Sequence, residues 1–520
     1  MDEISTAEPS PHVLAEKVQA DVDAIALANI TGYDQAMVRR WGLQKVIGMG
    51  LGLASTWAFA GAGLTLVIQE GGPAAALYGF LLVSLFTFCV SASIAELVSA
   101  FPTTGGPFYW TARIAPKKIA PFLSLLTGYA NCMSWVCACA SVASTNAQQI
   151  FGFVVITHPG FDIKRWQLYI LYLFFMLAGM FFTMFLYPLV PIINKWLIYW
   201  SNTAMVVAII MTLSRSSGHF ASSHFVWAEY INNTGWGNVM CFITGLINGG
   251  FSYGHLDASV HLAEEATRPE KNIPIAIAAQ VGVSFPQGFL FMIVMFYCIK
   301  DIDSILSSTI PNAELFLQAM GGKGGAVVLQ LMVVSILVCV NLEVQTNATR
   351  MVWSFARDGA FPGSKWLAVV HPKLMVPVNA QIVVNCIVFL LGFLYLFAGA
   401  AYSALVGSSF ILAYTAYFIP IASLVITGRK YEKPGPFYMR RYGFFINLLS
   451  MGWLAFCIVV WQFPFFMPVI GHVAANMNWT VVVVGGIMVL ATIWWFIGGR
   501  KQYNIMTGAG ISDEATLSSL

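Results

Sequence analysis

Two apolar stretches combine glycine with aromatic and titratable residues: GMGLGLASTWAFAGAG from Gly48 and GLINGGFSYGHLDASVH from Gly245. Glycine weakens a helix, and where backbone bonding lapses inside a nonpolar medium the freed amides and carbonyls can line a cavity. The first stretch sets Trp57 and Phe59 beside Gly61 and Gly63; the second sets Phe251, Tyr253 and His255 around Gly254. Aromatic faces attract an organic cation by about 0.5–2 kcal/mol. Backbone amides at a helix break suit a carboxylate instead. The same glycines also suit close helix packing, and the same aromatics also suit lipid contact, so both uses remain open.

Asp257 and Glu343 are the two acids well inside apolar runs. A charge near a bilayer centre costs about 2.5–3.5 kcal/mol on insertion scales, so such groups usually face a cavity. Asp257 follows Gly254 by three residues and precedes His261 by four, which sets it on one helical face with His261. It is a candidate counter-ion for an amine or a proton site, with a structural hydrogen bond or a helix cap as the alternative. Glu343 is followed by Gln345 and Thr346; it either carries a proton or reaches back to pair with Arg350. His255 and His261 are of a type that titrates near neutrality. Asp257, His261 and Glu343 are therefore the proton-coupling candidates.

Enzymatic chemistry has no visible seat, because no nucleophile stands near a base at a recognisable spacing. The 9 cysteines lie within apolar stretches, and Cys132, Cys137 and Cys139 lack the paired spacing with histidine that a metal site needs. No catalytic residue, metal or cofactor is expected.

These groups need a membrane to position them. The chain is 58% hydrophobic and 9% charged, against roughly 25% charged residues in a soluble domain. Runs long enough to span lie at about 46–69, 76–100, 121–155, 168–187, 190–213, 238–262, 274–298, 325–348, 376–398, 402–426, 444–464 and 480–498. The expected fold is all-α and polytopic with twelve transmembrane helices. Residues 1–40 are polar and acidic, with no signal peptide, and read as a disordered cytosolic tail. Residues 41–500 form the membrane domain and 501–520 a second cytosolic tail.

Of the 26 lysines and arginines, only Lys164, Arg165, Arg215, Lys300 and Lys323 fall outside if the amino terminus is cytosolic. Both termini are then inside, and the basic balance gives nucleic-acid binding no support. Sequons occur at Asn29, Asn232, Asn347 and Asn478; Asn232 and Asn478 face outward and are the glycosylation candidates. The two glycine breaks fall in the first and sixth spans, five helices apart. That spacing fits an inverted five-plus-five repeat, 46–213 and 238–426, with two additional helices at 444–498. In such repeats discontinuous helices 1 and 6 hold the substrate at mid-membrane.

Three further runs carry a family signal: AELVSAFPTTGGPFYW from Ala95, HLAEEATRPEKNIP from His261 and ATRMVWSFARDGAFP from Ala348. Together they resemble the amino acid, polyamine and organocation permease superfamily, most of all its fungal branch of gamma-aminobutyrate permeases and choline transporters, over roughly 40–500. The resemblance implies uptake of a small amino acid or organic amine by proton symport with alternating access, at the plasma membrane or an internal one. The partners are then an amino acid, gamma-aminobutyrate or choline-like amine, a proton and the lipid bilayer. It also implies an inner gate in which Glu264 and Glu265 meet Arg350 and Arg357. The two arginines stand two turns apart on an amphipathic helix expected after the eighth span. Pro102, Gly105, Gly106 and Pro107 are expected to turn Tyr109 and Trp110 toward the membrane interface.

Some relatives hold a lysine midway along the fifth span; here that stretch reads SNTAMVVAII from Ser201, which puts the coupling mechanism in doubt. A choline transporter is the nearest alternative, since Trp57, Phe59, Phe251, Tyr253 and Asp257 suit a quaternary ammonium. A nutrient sensor that binds without transport is the alternative of another class. A channel fits less well, because it needs a continuous polar pore.

Overall fold

The computed structural model describes residues 32–33, 36–59, 63–158, 160–397, 399–431, 433–471 and 476–505. Nine helices among these are long and apolar enough to cross a membrane: Gly72–Ala100, Ala120–Thr157, Arg165–Phe185, Tyr187–Arg215, Pro269–Tyr297, Lys323–Arg357, Gly407–Ile426, Arg440–Val460 and Thr480–Gln502. Val378–Leu394 is a shorter apolar helix. With the interrupted first and sixth spans these account for the twelve stretches expected. Leu85, Phe174, Trp196, Ile210 and Phe445 point outward, as lipid-facing groups do, while Trp41, Trp57, Trp110, Trp135 and Trp353 fill the interior.

The first span is helical over Leu43–Leu53, lapses at Ala54 and Ser55, and resumes as Thr56–Phe59 and then Leu64–Gln69. The sixth is helical over Asn238–Ser252 and then gives way to turns and a short 3₁₀ segment, Val260–Leu262. The expected helix to residue 262 therefore stops ten residues early. Its stop is Gly254, at φ +60°, where a side chain is strained. A Cβ there would also stand 2.7 Å from the Leu53 carbonyl oxygen. The two breaks thus touch, backbone to backbone, and only glycine allows the approach.

Freed carbonyls at a break need partners. Gln280 of the seventh span supplies them, its Nε2 donating to the carbonyls of Tyr253 at 3.2 Å and His255 at 3.1 Å.

The broken spans run antiparallel. Trp41, ahead of the first span, bridges Ala266, and the amide of Arg40 donates to the Glu265 carbonyl at 3.0 Å. At the other end Glu70–Gly71 forms a two-residue antiparallel ladder with Ile231–Asn232, the lead into the sixth span. Gly72–Ala100 starts at the ladder end, whereas Pro269–Tyr297 starts at the Trp41 end, so the second and seventh spans are inverted as well.

Several local expectations change. The helix carrying Arg350 and Arg357 is no separate element after the eighth span but its unbroken continuation, Lys323–Arg357. Tyr109 and Trp110 do not face the interface. They sit on the short helix Pro107–Ile114, fully buried, with Trp110 Nε1 donating to the Phe101 carbonyl at 2.9 Å. The expected disordered tail 1–40 lies outside the described residues as far as residue 31, but Tyr33 and Met37 are buried in the bundle. Of the second tail, 506–520 lie outside the described residues, while Tyr503 is buried and Asn504 donates its amide to the Asp358 carbonyl. Apolar and aromatic side chains in both segments favour docking over solvation.

Candidate functional site

A cavity of about 390 Å³ lies against the two breaks and reaches from Leu53, Gly254 and His255 to Glu70, Phe242 and Phe465. Of the residues singled out in the sequence, Phe59, Gly63, Phe251, Gly254 and His255 line it. Gly61 lies outside the described residues.

Three of the expected cage residues stand behind the wall. Trp57 is 1% exposed, packs edge-on against Phe291, and its Nε1 donates to the Ser201 hydroxyl at 3.1 Å. Tyr253 stacks on Phe80 with ring centres 5.5 Å apart and shares a 2.6 Å hydrogen bond with Ser84. Asp257 is fully buried, accepting from Asn131 Nδ2 at 2.8 Å and the Tyr417 hydroxyl at 2.6 Å, with His261 Nε2 2.9 Å away. Both its oxygens are engaged, so Asp257 stands apart from the cavity as a hub joining the third, sixth and tenth spans. Its expected role as counter-ion in the aromatic cage does not fit this position. His261 is held on its other nitrogen by the Thr104 carbonyl at 2.8 Å.

Glu343 is the opposite case. It is fully buried and neither carboxylate oxygen has a hydrogen-bond partner among the described residues. It presses on the first span just before the break, where a Cβ on Gly52 would fall inside the carboxylate. It does not pair with Arg350, the alternative that the sequence left open.

Arg350 instead meets Glu265, Nε to Oε1 at 2.9 Å, with Tyr187 donating its hydroxyl to the other carboxylate oxygen. Arg357 grips Glu264 bidentately, at 2.8 and 3.0 Å. Each arginine has its own acid. The Arg357 guanidinium lies 3.7 Å from the ring centre of Tyr33 and 4.7 Å from that of Trp353, and Tyr33 donates to Asp358 at 2.7 Å. Burial pushes the Asp358 carboxyl up to about 7 against the pull of Arg357. Burial first, then the Asp358 charge, holds the Tyr33 phenol well above its ordinary value. These groups are packed together at the end of the bundle where both described ends of the chain lie.

In the fifth span the Ser201 hydroxyl meets Ser55 at 3.2 Å in the first break. Asn478 is buried and its amide nitrogen donates to the carbonyls of Trp461 and Phe463, so this sequon cannot carry a glycan in the folded chain, contrary to expectation. Asn232 is part-exposed on its loop, its amide bonded to the Trp236 carbonyl and Asn238.

Sequence reasoning missed Glu70, Asn248, Phe80, Phe242, Phe410 and Phe465, all on the cavity wall. Glu70 had a usable signal, an acid directly closing the apolar run LTLVIQ, but it reads as the ordinary polar end of a span.

The model of a family described as amino acid permease matches residues 42–488. The choline transporter of Saccharomyces cerevisiae is 33% identical over 471 residues, covering 90% of this chain and 83% of that protein. An uncharacterized amino-acid permease of Schizosaccharomyces pombe is 30% identical, covering 93% of this chain and 86% of its own. An amino-acid permease of Arabidopsis thaliana is 29% identical, covering 84% and 87%.

Proposed function

This chain belongs to the amino acid permease family, and on that footing we propose that it is a secondary active transporter that takes up a small amino acid or organic amine by alternating access. The observation that carries the reading is the contact of the two helix breaks, Gly254 on the Leu53 carbonyl, beside a cavity closed at one face by the Glu264–Arg357 and Glu265–Arg350 pairs. A carrier needs one site and two gates that are never open together. Here one gate is shut by ion pairs that water can replace, and the cavity extends toward the other face.

The sealed face is cytosolic in this proposal, because the lysines and arginines of the loops concentrate there. The cavity then faces outward, at the plasma membrane first. The two repeats, 46–213 and 238–426, rock against each other, and 444–498 buttress them. Asn232 remains an acceptor for a glycan on the outer side.

Coupling to a proton is assigned to Glu343 ahead of Asp257 and His261. Glu343 lies against Gly52, so a charge gained or lost on its carboxyl acts directly on the moving half of the broken first span. Asp257 already has its partners, and His261 serves it.

Uptake of labelled choline, gamma-aminobutyrate and neutral amino acids in a host lacking its own permeases tests this reading. Saturable uptake of at least one, faster at pH 5 than pH 7.5 and collapsed by a protonophore, is expected. Uptake that ignores the proton gradient removes the coupling, and binding without uptake would make the chain a sensor instead.

A further inference from the structure

The described cavity wall holds one acidic side chain, Glu70, and no lysine or arginine. Glu70 is 2% exposed, and only one of its oxygens is satisfied, Oε2 accepting from Asn248 Nδ2 at 2.8 Å. Oε1 has no hydrogen-bond partner among the described residues. An unpaired buried oxygen is costly, and a carboxylate one most of all, unless something completes it.

Its place is fixed rather than adaptable. The ladder to Asn232 pins its backbone, and its carbonyl abuts Gly245, where a Cβ would come within 2.9 Å. Asn248 lies on the first half of the sixth span, Asn238–Ser252, and its oxygen lies near Gly63, at the start of the second half of the first. Glu70 thus sits where these two halves converge. Phe59, Phe80, Phe242, Phe251, Phe410 and Phe465 supply aromatic wall around the same space. The other titratable group there, His255, is held by Ser134 at 2.7 Å.

We infer that Glu70 is the counter-charge for the substrate and that the site takes a small organic cation, a quaternary or primary ammonium, in preference to a zwitterion. The inference deepens the transport reading and rests on it. Phenylalanine faces stabilise a cation's apolar shell and its charge together, and the free carboxylate oxygen completes the neutralisation. A substrate carboxylate would meet no cationic side chain on the described wall and would approach Glu70 at a cost.

The test is competition binding to the purified chain in lipid nanodiscs with three probes of one shape. These are choline, its neutral isostere 3,3-dimethylbutanol, and the zwitterion glycine betaine. Wild type is expected to prefer choline to the isostere by about tenfold or more, the scale of a cation's attraction to aromatic faces and a nearby carboxylate, and to prefer it to betaine. Glu70→Gln is expected to lose that preference while isostere binding holds. Equal choline binding by wild type and E70Q overturns the inference, as does a parallel loss of choline and isostere. Should E70Q not yield folded protein, Glu70→Asp, which withdraws the carboxylate by one methylene, is expected to lower the choline-to-isostere ratio; an unchanged ratio overturns the inference. Wild type that binds and carries an amino acid but not choline overturns this inference and leaves the transport reading standing. A chain that binds and carries nothing overturns both.

Discussion

Replacing Glu264 by glutamine should unlock the sealed face. Both oxygens of Glu264 are engaged by Arg357, at 2.8 and 3.0 Å, with side-chain exposures of 3% and 18%. Removing one partner of a shielded pair costs about 3–5 kcal/mol, chiefly through the charge left behind. The partial exposure of Arg357 places this change at the lower end, about 3 kcal/mol. The cost falls on the closed gate alone, because opening returns the guanidinium to water. The closed-to-open ratio should then fall about 100-fold. A reporter cysteine at Ser354, fully buried between Arg350 and Arg357 on the same helix and with its hydroxyl unpartnered among the described residues, reads this out in a chain otherwise free of cysteine. Its labelling by a charged maleimide should run about 100-fold faster in E264Q, similarly in R357Q, and no faster still in the double variant. Additive effects, or labelling of E264Q at the parental rate, would refute the reasoning.

Three more outcomes follow from single positions. Gly254→Ala puts a Cβ at positive φ, costing about 1–2 kcal/mol, and 2.7 Å from the Leu53 carbonyl; uptake should be abolished while detergent-solubilised protein still elutes as a folded species. The Asp358 carboxyl is raised to about 7 in the closed gate, among Tyr33, Arg357, Glu264 and Tyr503. A raised acid stabilises the form that keeps its proton, so closure is strongest at low pH, weakens as pH rises toward about 7, and is flat above. Ser354→Cys labelling should quicken about tenfold between pH 6 and 8 after correction for thiolate fraction, and Asp358→Asn should remove that slope. Glu343→Gln, uncharged at every pH, should bind substrate with near-parental affinity while uptake no longer responds to a proton gradient; full retention of the gradient response would clear Glu343 of the role.

The spans were legible because hydropathy over some twenty residues is set by the bilayer, not by neighbours. The breaks were legible for a related reason, since glycine at positions 48 to 63 and 245 to 254 weakens a helix locally. That Glu264 and Glu265 meet Arg350 and Arg357 was implied by the family resemblance alone, and which acid takes which arginine was not legible in the residues. Which way a buried side chain turns is a different matter. Trp57 and Tyr253 were placed on the right segments, yet Ser201 and Ser84 draw their polar atoms out of the cavity. Asp257 looked like a counter-ion because its charge was visible and Asn131 and Tyr417, which satisfy it, are more than a hundred residues away in sequence. Glu70 was passed over for the converse reason: an acid closing an apolar run looks solvated until the ladder to Asn232 buries it. The docking of Tyr33 and Tyr503 likewise depends on Asp358 and Ser124, partners far along the chain.

The most direct measurement is counterflow into proteoliposomes holding the purified chain. Vesicles preloaded with unlabelled choline should take up external labelled choline in a saturable burst that empty vesicles do not show, since a carrier returns faster when loaded. Flux that rises linearly with concentration and ignores the internal load would mean an open path through the bundle, and would contradict a single site exposed to one face at a time.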